Sequence, residues 1–207
     1  MNILKKLFKN ADKPGEETPA ASRSKFMPEE KGPIDERFTK NFISNGGRLL
    51  YSIDEQEVQK NFEDVLVEHD FFEKDVMCHD AQLQQRFKDY NLNFSGKQFS
   101  SFFLTCCECL IADNGAILFS SEQIKSYKLL QLPETFVVVA ATSQIVDSIG
   151  EGLKGINSKS KTRVIPTNIT TLTNFAEPTG PVPTRSDDIE TPAAPHKRCY
   201  LILIEDL

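Results

Sequence analysis

The stretch Thr135 to Ala141, TFVVVAA, constrains the fold more than any other part of the chain. It is apolar almost without interruption. A strand with one wet face alternates apolar and polar residues, whereas a continuous apolar run belongs to a strand covered on both faces. Such strands are built into parallel sheets with helices packed against them. A chain that contains one is expected to be an α/β protein.

The neighbouring patterns agree. Phe38, Phe42 and Ile43 form a helical stripe stopped by Gly46-Gly47, and RLLYS (Arg48 to Ser52) reads as a short strand. Asp54 is placed to cap a helix in which Val58, Phe62, Val65 and Leu66 recur at helical spacing. Asp75 to Cys78 predicts a strand, and Leu83, Phe87 and Tyr90 another helix. Between Phe102 and Ser120 two apolar runs flank Asp113-Asn114-Gly115, a strong hairpin signal because Asn and Gly both tolerate positive φ. Glu122 to Leu132 reads as an irregular or short helical connection. Ile145, Val146, Ile149 and Leu153 predict a helix after the capping pair Thr142-Ser143. Arg163 to Ile165 is a brief strand, Thr167 to Phe175 a strand or extended loop, Glu177 to Pro195 a Pro-rich loop, and YLILI (Tyr200 to Ile204) a final strand.

Composition narrows the class. With 39% hydrophobic and 26% charged residues, the 207-residue chain is neither disordered throughout, collagen-like, nor a multi-span membrane protein. A net charge of −6 lacks the basic footprint of a general nucleic-acid binder. The five cysteines are an odd, sparse set, three of them crowded at Cys106, Cys107 and Cys109, which suits a reducing compartment. No apolar run approaches the roughly 20 residues of a membrane span, so a cytoplasmic protein is expected.

Residues 1–34 differ from the rest. MNILKKLFK places Ile3, Leu4, Leu7 and Phe8 at helical spacing among lysines, either as a frayed terminus or as a short basic segment making weak peripheral contact with a membrane surface through residues 1–9. Asn10 to Pro33 is dominated by Pro, Gly, Ser, Ala and charges and reads as a flexible tail.

Four motifs bear on chemistry. Cys106-Cys107-Glu108-Cys109 contains a C-x-x-C pair without a second pair, so buried apolar cysteines are expected ahead of metal or redox chemistry. Gly150-Glu151-Gly152-Leu153-Lys154-Gly155 fits GxGxxG, but the pattern places it at the closing end of a helix, whereas a dinucleotide fingerprint opens one. Asp113, Asn114 and Gly115 form a turn whose exposed amides offer an anion site. In the loop Pro183 to Glu190, Arg185 among Thr184 and Ser186 offers donors to a carboxylate or phosphate, with Asp188 and Glu190 as orienting groups or as acid and base; the alternative is a solvated polar loop.

Four pieces in order carry a family resemblance: Ala112-Asp113-Asn114-Gly115-Ala116-Ile117-Leu118-Phe119; Leu129 to Pro133 followed by Thr135-Phe136-Val137-Val138-Val139; Gly180-Pro181 followed by Thr184-Arg185-Ser186-Asp187-Asp188-Ile189-Glu190; and the strand from Tyr200 to Ile204. Together they resemble the LUD-domain family, of the lactate-utilisation protein C type. Asn114, Ala116 and Thr135 stand where that family has Thr, Thr or Ser, and His. The resemblance implies a domain over residues 35–207. Its fold is a mostly parallel sheet between helices, similar to the ribose-phosphate isomerase, glucosamine-phosphate deaminase and CoA-transferase superfamily. It also implies a link to L-lactate oxidation, in which related proteins act with iron–sulfur partner subunits.

The expected protein is therefore a non-redox component of a lactate-utilisation-type oxidoreductase system. It would have iron–sulfur or flavin oxidoreductase subunits as partners, with no metal or cofactor of its own and no nucleic acid. Asp113, Asn114, Gly115, Thr184, Arg185, Ser186, Asp188 and Glu190 would bind a small anionic ligand or a partner. The alternatives are an independent enzyme of CoA-transferase or sugar-phosphate isomerase type, with Glu190 or Asp188 as base or nucleophile, and a scaffold with a degenerate pocket.

Overall fold

The computed structural model of the chain describes residues 32–97, 99–159, 166–175 and 196–206. Three of the expected segments lie outside these residues: MNILKKLFK with its tail, the strand at 163–165, and the loop at 177–195.

The described chain opens with α1 (Ile34–Ser44), whose Phe38 and Phe42 are buried. Strand β1 (Arg48–Ser52) leads into α2 (Glu55–His69). Asp54 caps α2, its side chain accepting from the Glu57 amide, and Val58, Phe62, Val65 and Leu66 form the buried stripe. Strand β2 (Asp75–Met77) is followed by α3 (Ala81–Arg86), capped by Asp80. A single 3-10 turn at Lys88–Tyr90 precedes β3 (Asn93–Ser95), a short strand the apolar pattern did not announce. Next come β4 (Phe102–Thr105), β5 (Cys109–Ile111), β6 (Ala116–Phe119), α4 (Ser121–Ile124) and β7 (Thr135–Ala141). The chain closes with β8 (Ile145–Val146), α5 (Ile149–Lys159), β9 (Thr170–Leu172) and β10 (Arg198–Ile204).

The fold is α/β. Six strands form a parallel sheet in the order β1-β10-β7-β4-β2-β3. On one face Val58, Phe62 and Leu66 of α2, Leu83 of α3 and Phe87 just after it pack against Val76, Phe102, Leu104, Val137, Val139 and Ile202. The opposite side chains of the same strands, Phe103, Phe136, Val138, Leu201 and Leu203, meet α1 and a second sheet. This explains the unbroken apolar text of β7: its two faces are each buried in a different core layer.

The second sheet, ordered β8-β5-β6-β9, was not foreseen and corrects three sequence readings. The run FFLTCCECLI is not one arm of a hairpin. Its first part is β4 in the large sheet and its end is β5 in the small one, with Cys106 to Glu108 crossing between them. Residues Ile145 and Val146 are not helical; they pair as β8 beside β5, and the helix starts at Ile149. The GxGxxG segment therefore opens α5 rather than closing a helix. It is still no phosphate cradle, because the Glu151 carboxylate in the first turn accepts the Asp147 amide at 2.9 Å. Gly152 is there for packing, since a Cβ would stand 2.5 Å from Cys109 Sγ.

The β5–β6 hairpin has the expected turn residues in a different conformation. Its loop runs from Ala112 to Gly115, and among its residues positive φ occurs only at Gly115 (φ 67°). Asn114 contributes through its side chain instead, accepting the Ala116 amide at 3.1 Å.

Candidate functional site

The two polar regions singled out in the sequence fare differently. Thr184, Arg185, Ser186, Asp188 and Glu190 lie outside the described residues. The Asp113–Gly115 turn is held against α1. Arg37 reaches Asp113 at 3.0 Å and Asp147 at 2.5 Å. Asn41 Nδ2 donates to the carbonyls of Ala112 (2.8 Å) and Asp113 (3.2 Å), and Asn45 Nδ2 donates to that of Asn114 (2.7 Å). The amides of Asp113 and Gly115 donate to the carbonyls of Asp147 and Ile111. The turn thus docks a helix, while the outer side of Asn114 borders an open polar depression with Ser44, Asn45, Thr173 and Asn174.

A second polar site emerges from the topology. From β2 the chain crosses α3 on the helical face and moves outward to β3. From the adjacent β4 it enters the small sheet on the opposite face and moves the other way, to β7. Neighbouring parallel strands whose connections part in opposite directions leave a crevice at their carboxyl ends, where α/β proteins place ligands. A cavity of about 470 Å³ opens at this point, lined by His79, Asp80, Ala81, Gln82, Thr105, Cys106, Glu122, Gln123 and Lys125.

Each wall of the crevice is fixed locally. Asp80 Oδ1 accepts the amides of Gln82 (2.8 Å) and Leu83 (3.3 Å), while Oδ2 accepts the Cys106 thiol at 3.4 Å. Gln123 belongs to the capping box of α4: its Oε1 accepts the Ser120 amide at 2.8 Å and its Nε2 donates to Glu108 at 3.1 Å. Lys125 Nζ donates to the Glu122 carbonyl at 2.8 Å. The Lys125 backbone sits at φ 53°, ψ −126°, a region natural to glycine and costing an L-residue roughly 1–3 kcal/mol. Asn168 holds this turn in place, donating to the carbonyls of Lys125 (2.9 Å) and Tyr127 (3.0 Å).

Electrostatics sort the crevice into groups that bind and groups that do not attack. Burial, and then the charge of Asp80, push the Cys106 thiol up to about 12, so it stays protonated at neutral pH. Cys78 is raised to about 11, again mainly by burial. Neither is an activated nucleophile. Cys107, Cys109 and Cys199 are buried thiols outside any disulfide, and among the described residues no group of three or more His, Cys, Asp and Glu could hold a metal ion.

His79 stacks parallel to Tyr127 with ring centroids 6.3 Å apart, and its Nε2 is buried without a hydrogen-bond partner. Burial first, and the Lys125 charge second, lower its pKa, so it is neutral at pH 7. His69, hydrogen-bonded to Tyr200 at 2.6 Å, is lowered in the same direction by burial. A pKa depressed on folding contributes stability above the unfolded value of about 6.5, and that stability is lost as pH falls through the folded value. The melting temperature should therefore drop on acidification from pH 7 to 5.5, above the range where most carboxylates titrate. Circular dichroism melts should show a smaller drop in His79→Asn than in the parent, and an unchanged drop would remove His79 from the account.

The LUD domain family model matches residues 98–204, more than half of the chain. The chain belongs to the LUD-domain family. The solved structure of a DUF162 family protein from Deinococcus radiodurans is similar over 84% of this chain and 96% of its own, with a TM-score of 0.57 and 13% sequence identity. At that identity the likeness is one of fold. The comparison with curated proteins gives no match. The LUD match contains one wall of the crevice, Thr105, Cys106, Glu122, Gln123 and Lys125; His79 and Asp80 come from the chain before it.

Sequence reading missed this site because its members are scattered and none forms a recognised motif. The available signal was positional: His79-Asp80 and Cys106 each follow directly on an apolar strand that the text does reveal.

Proposed function

We propose that this LUD-domain protein is a cytoplasmic, non-redox component of a lactate-utilisation-type oxidoreductase system, whose redox centres reside in iron–sulfur or flavin partner subunits. The chain itself holds a small anionic ligand. The observation that carries this reading is the crevice at the carboxyl ends of β2 and β4, which offers the Lys125 ammonium beside a Cys106 thiol that remains protonated. Such a site is built to bind and orient rather than to form a covalent intermediate. Family membership supports the system to which it is assigned. In described residues no helix is long and apolar enough to cross a membrane. Arg185, Asp188 and Glu190, which lie outside the described residues, join the proposal as further ligand contacts, and Arg185→Ala is the variant that tests them by ligand affinity.

The test is affinity purification of the tagged full chain from its native cell under anaerobic conditions, followed by mass spectrometry. Stoichiometric recovery of an iron–sulfur or flavin oxidoreductase subunit is the expected result. Recovery of the chain alone would overturn the accessory role.

A further inference from the structure

Residues 122–130, running from α4 towards β7, border two cavities. Glu122, Gln123 and Lys125 line the crevice. Ile124, Tyr127 and Leu130 line a separate cavity of about 330 Å³. A segment that borders two cavities has room to move that a close-packed strand lacks.

The backbone here is held against its own preference. Ile124 to Tyr127 form a tight turn, closed by the Tyr127 amide donating to the Ile124 carbonyl at 3.0 Å. Lys125 takes the first corner at φ 53°, ψ −126°, a position that turns of this type give to glycine. Asn168 ties the turn down from outside, its Nδ2 donating to the carbonyls of both Lys125 and Tyr127. Beside it the Ser121 amide donates to the Thr167 carbonyl at 2.7 Å, and the Thr167 amide to Ser121 Oγ at 2.9 Å. Asn168 itself sits at φ 50°, which Asn tolerates better than most side chains. Two left-handed residues are thus joined through one side-chain amide.

The turn also covers a group that loses by being covered. Tyr127 lies parallel to the His79 imidazole, whose Nε2 is buried without a hydrogen-bond partner. Opening the turn would relieve the Lys125 backbone and hydrate that nitrogen. Closing it makes the Asn168 hydrogen bonds, whose net worth is modest because Asn168 and Lys125 are exposed and water competes for the same groups. The opposing contributions are of similar size, the condition for a minor open state.

We propose that the Lys125–Tyr127 turn is a gate on the crevice, latched shut by Asn168, and that its opening presents His79 Nε2 to whatever occupies the crevice. The consequence for binding rests on the reading of the crevice as the ligand site. The gate itself is tested without a ligand, so either reading can fail while the other stands.

The experiment is NMR on the full chain, following hydrogen exchange of the Tyr127 amide at pH 7 and the titration of the His79 ring. Asn168→Gly removes the latch and keeps a residue at ease at φ 50°. It should lower the protection of the Tyr127 amide by about tenfold or more while the amides of β7 keep theirs. His79 should then titrate closer to its ordinary value of 6.5, because burial and the Lys125 charge no longer hold it down. Adding Lys125→Gly removes the strain that drives opening and should restore about tenfold of protection in the Asn168→Gly background.

Unchanged protection of Tyr127 in Asn168→Gly would overturn the latch, as would a loss shared equally by β7. A His79 titration that stays put while Tyr127 loses protection would overturn the gate over His79. A double variant no better protected than Asn168→Gly would overturn backbone strain as the cause of opening.

Discussion

Replacing Gly115 with alanine should destabilise the protein by about 2–5 kcal/mol, combining the left-handed backbone penalty with overpacking. Gly115 holds φ 67°, and an added Cβ would stand closer than 3.0 Å to backbone atoms of Asn41 and Phe42. The obstacle is main chain, which cannot rotate aside as a side-chain tip would. Either α1 must lift from the hairpin, with the contacts of Arg37, Asn41 and Asn45, or the loop must refold. Urea titration measures the loss directly. Gly155→Ala is the matched control: it lies in α5, has open space around its Cβ, and should raise stability by roughly 0.5–1 kcal/mol. Equal effects of the two substitutions would show that the hairpin is not clamped as described.

The second large effect is expected at Phe62. This ring is fully buried, stacks on Phe87 with centroids 3.9 Å apart, and meets Tyr90 edge-on at 5.3 Å. It joins α2 to the turn that follows α3 and, through Phe102, to the large sheet. Phe62→Ala should cost about 3–5 kcal/mol, the range for removing a buried aromatic side chain. A domain with a usual stability of about 5–15 kcal/mol would lose much of it. Phe99, at 96% exposure, should tolerate the same truncation with almost no change. A loss below about 1 kcal/mol at Phe62 in chemical denaturation would mean that α2 does not bear on the sheet through this residue.

Much of this arrangement could be read before the structure. RLLYS, TFVVVAA and YLILI are strands, and Asp54 caps the helix whose stripe contains Phe62. These elements are set by local apolar period and by capping chemistry, both of which are written in adjacent residues. The small sheet was hidden for a physical reason. An apolar run records burial but not which sheet does the burying, so the change of sheet between Thr105 and Cys109 leaves no mark. Ile145 and Val146 are strand residues only because β5 lies alongside them. The crevice was hidden for a related reason: His79, Cys106 and Lys125 meet through strand adjacency and the direction of crossovers, which are properties of the assembled sheet. The Asp113–Gly115 turn was correctly placed as a turn, but its partners on α1 are distant in the chain.

The position of β10 has a consequence for how the protein is made. Among the described residues of the large sheet β1 pairs only with β10, and β10 lies between β1 and β7. During synthesis β1 waits for a neighbour that emerges only at residues 198–204. Until then β7 offers one open edge, and the buried faces of α1 and α2 lack part of their floor. The sheet can close only after residues 198–204 have been made, so the slot between β1 and β7 stays unfilled while everything from α2 to β9 is synthesised.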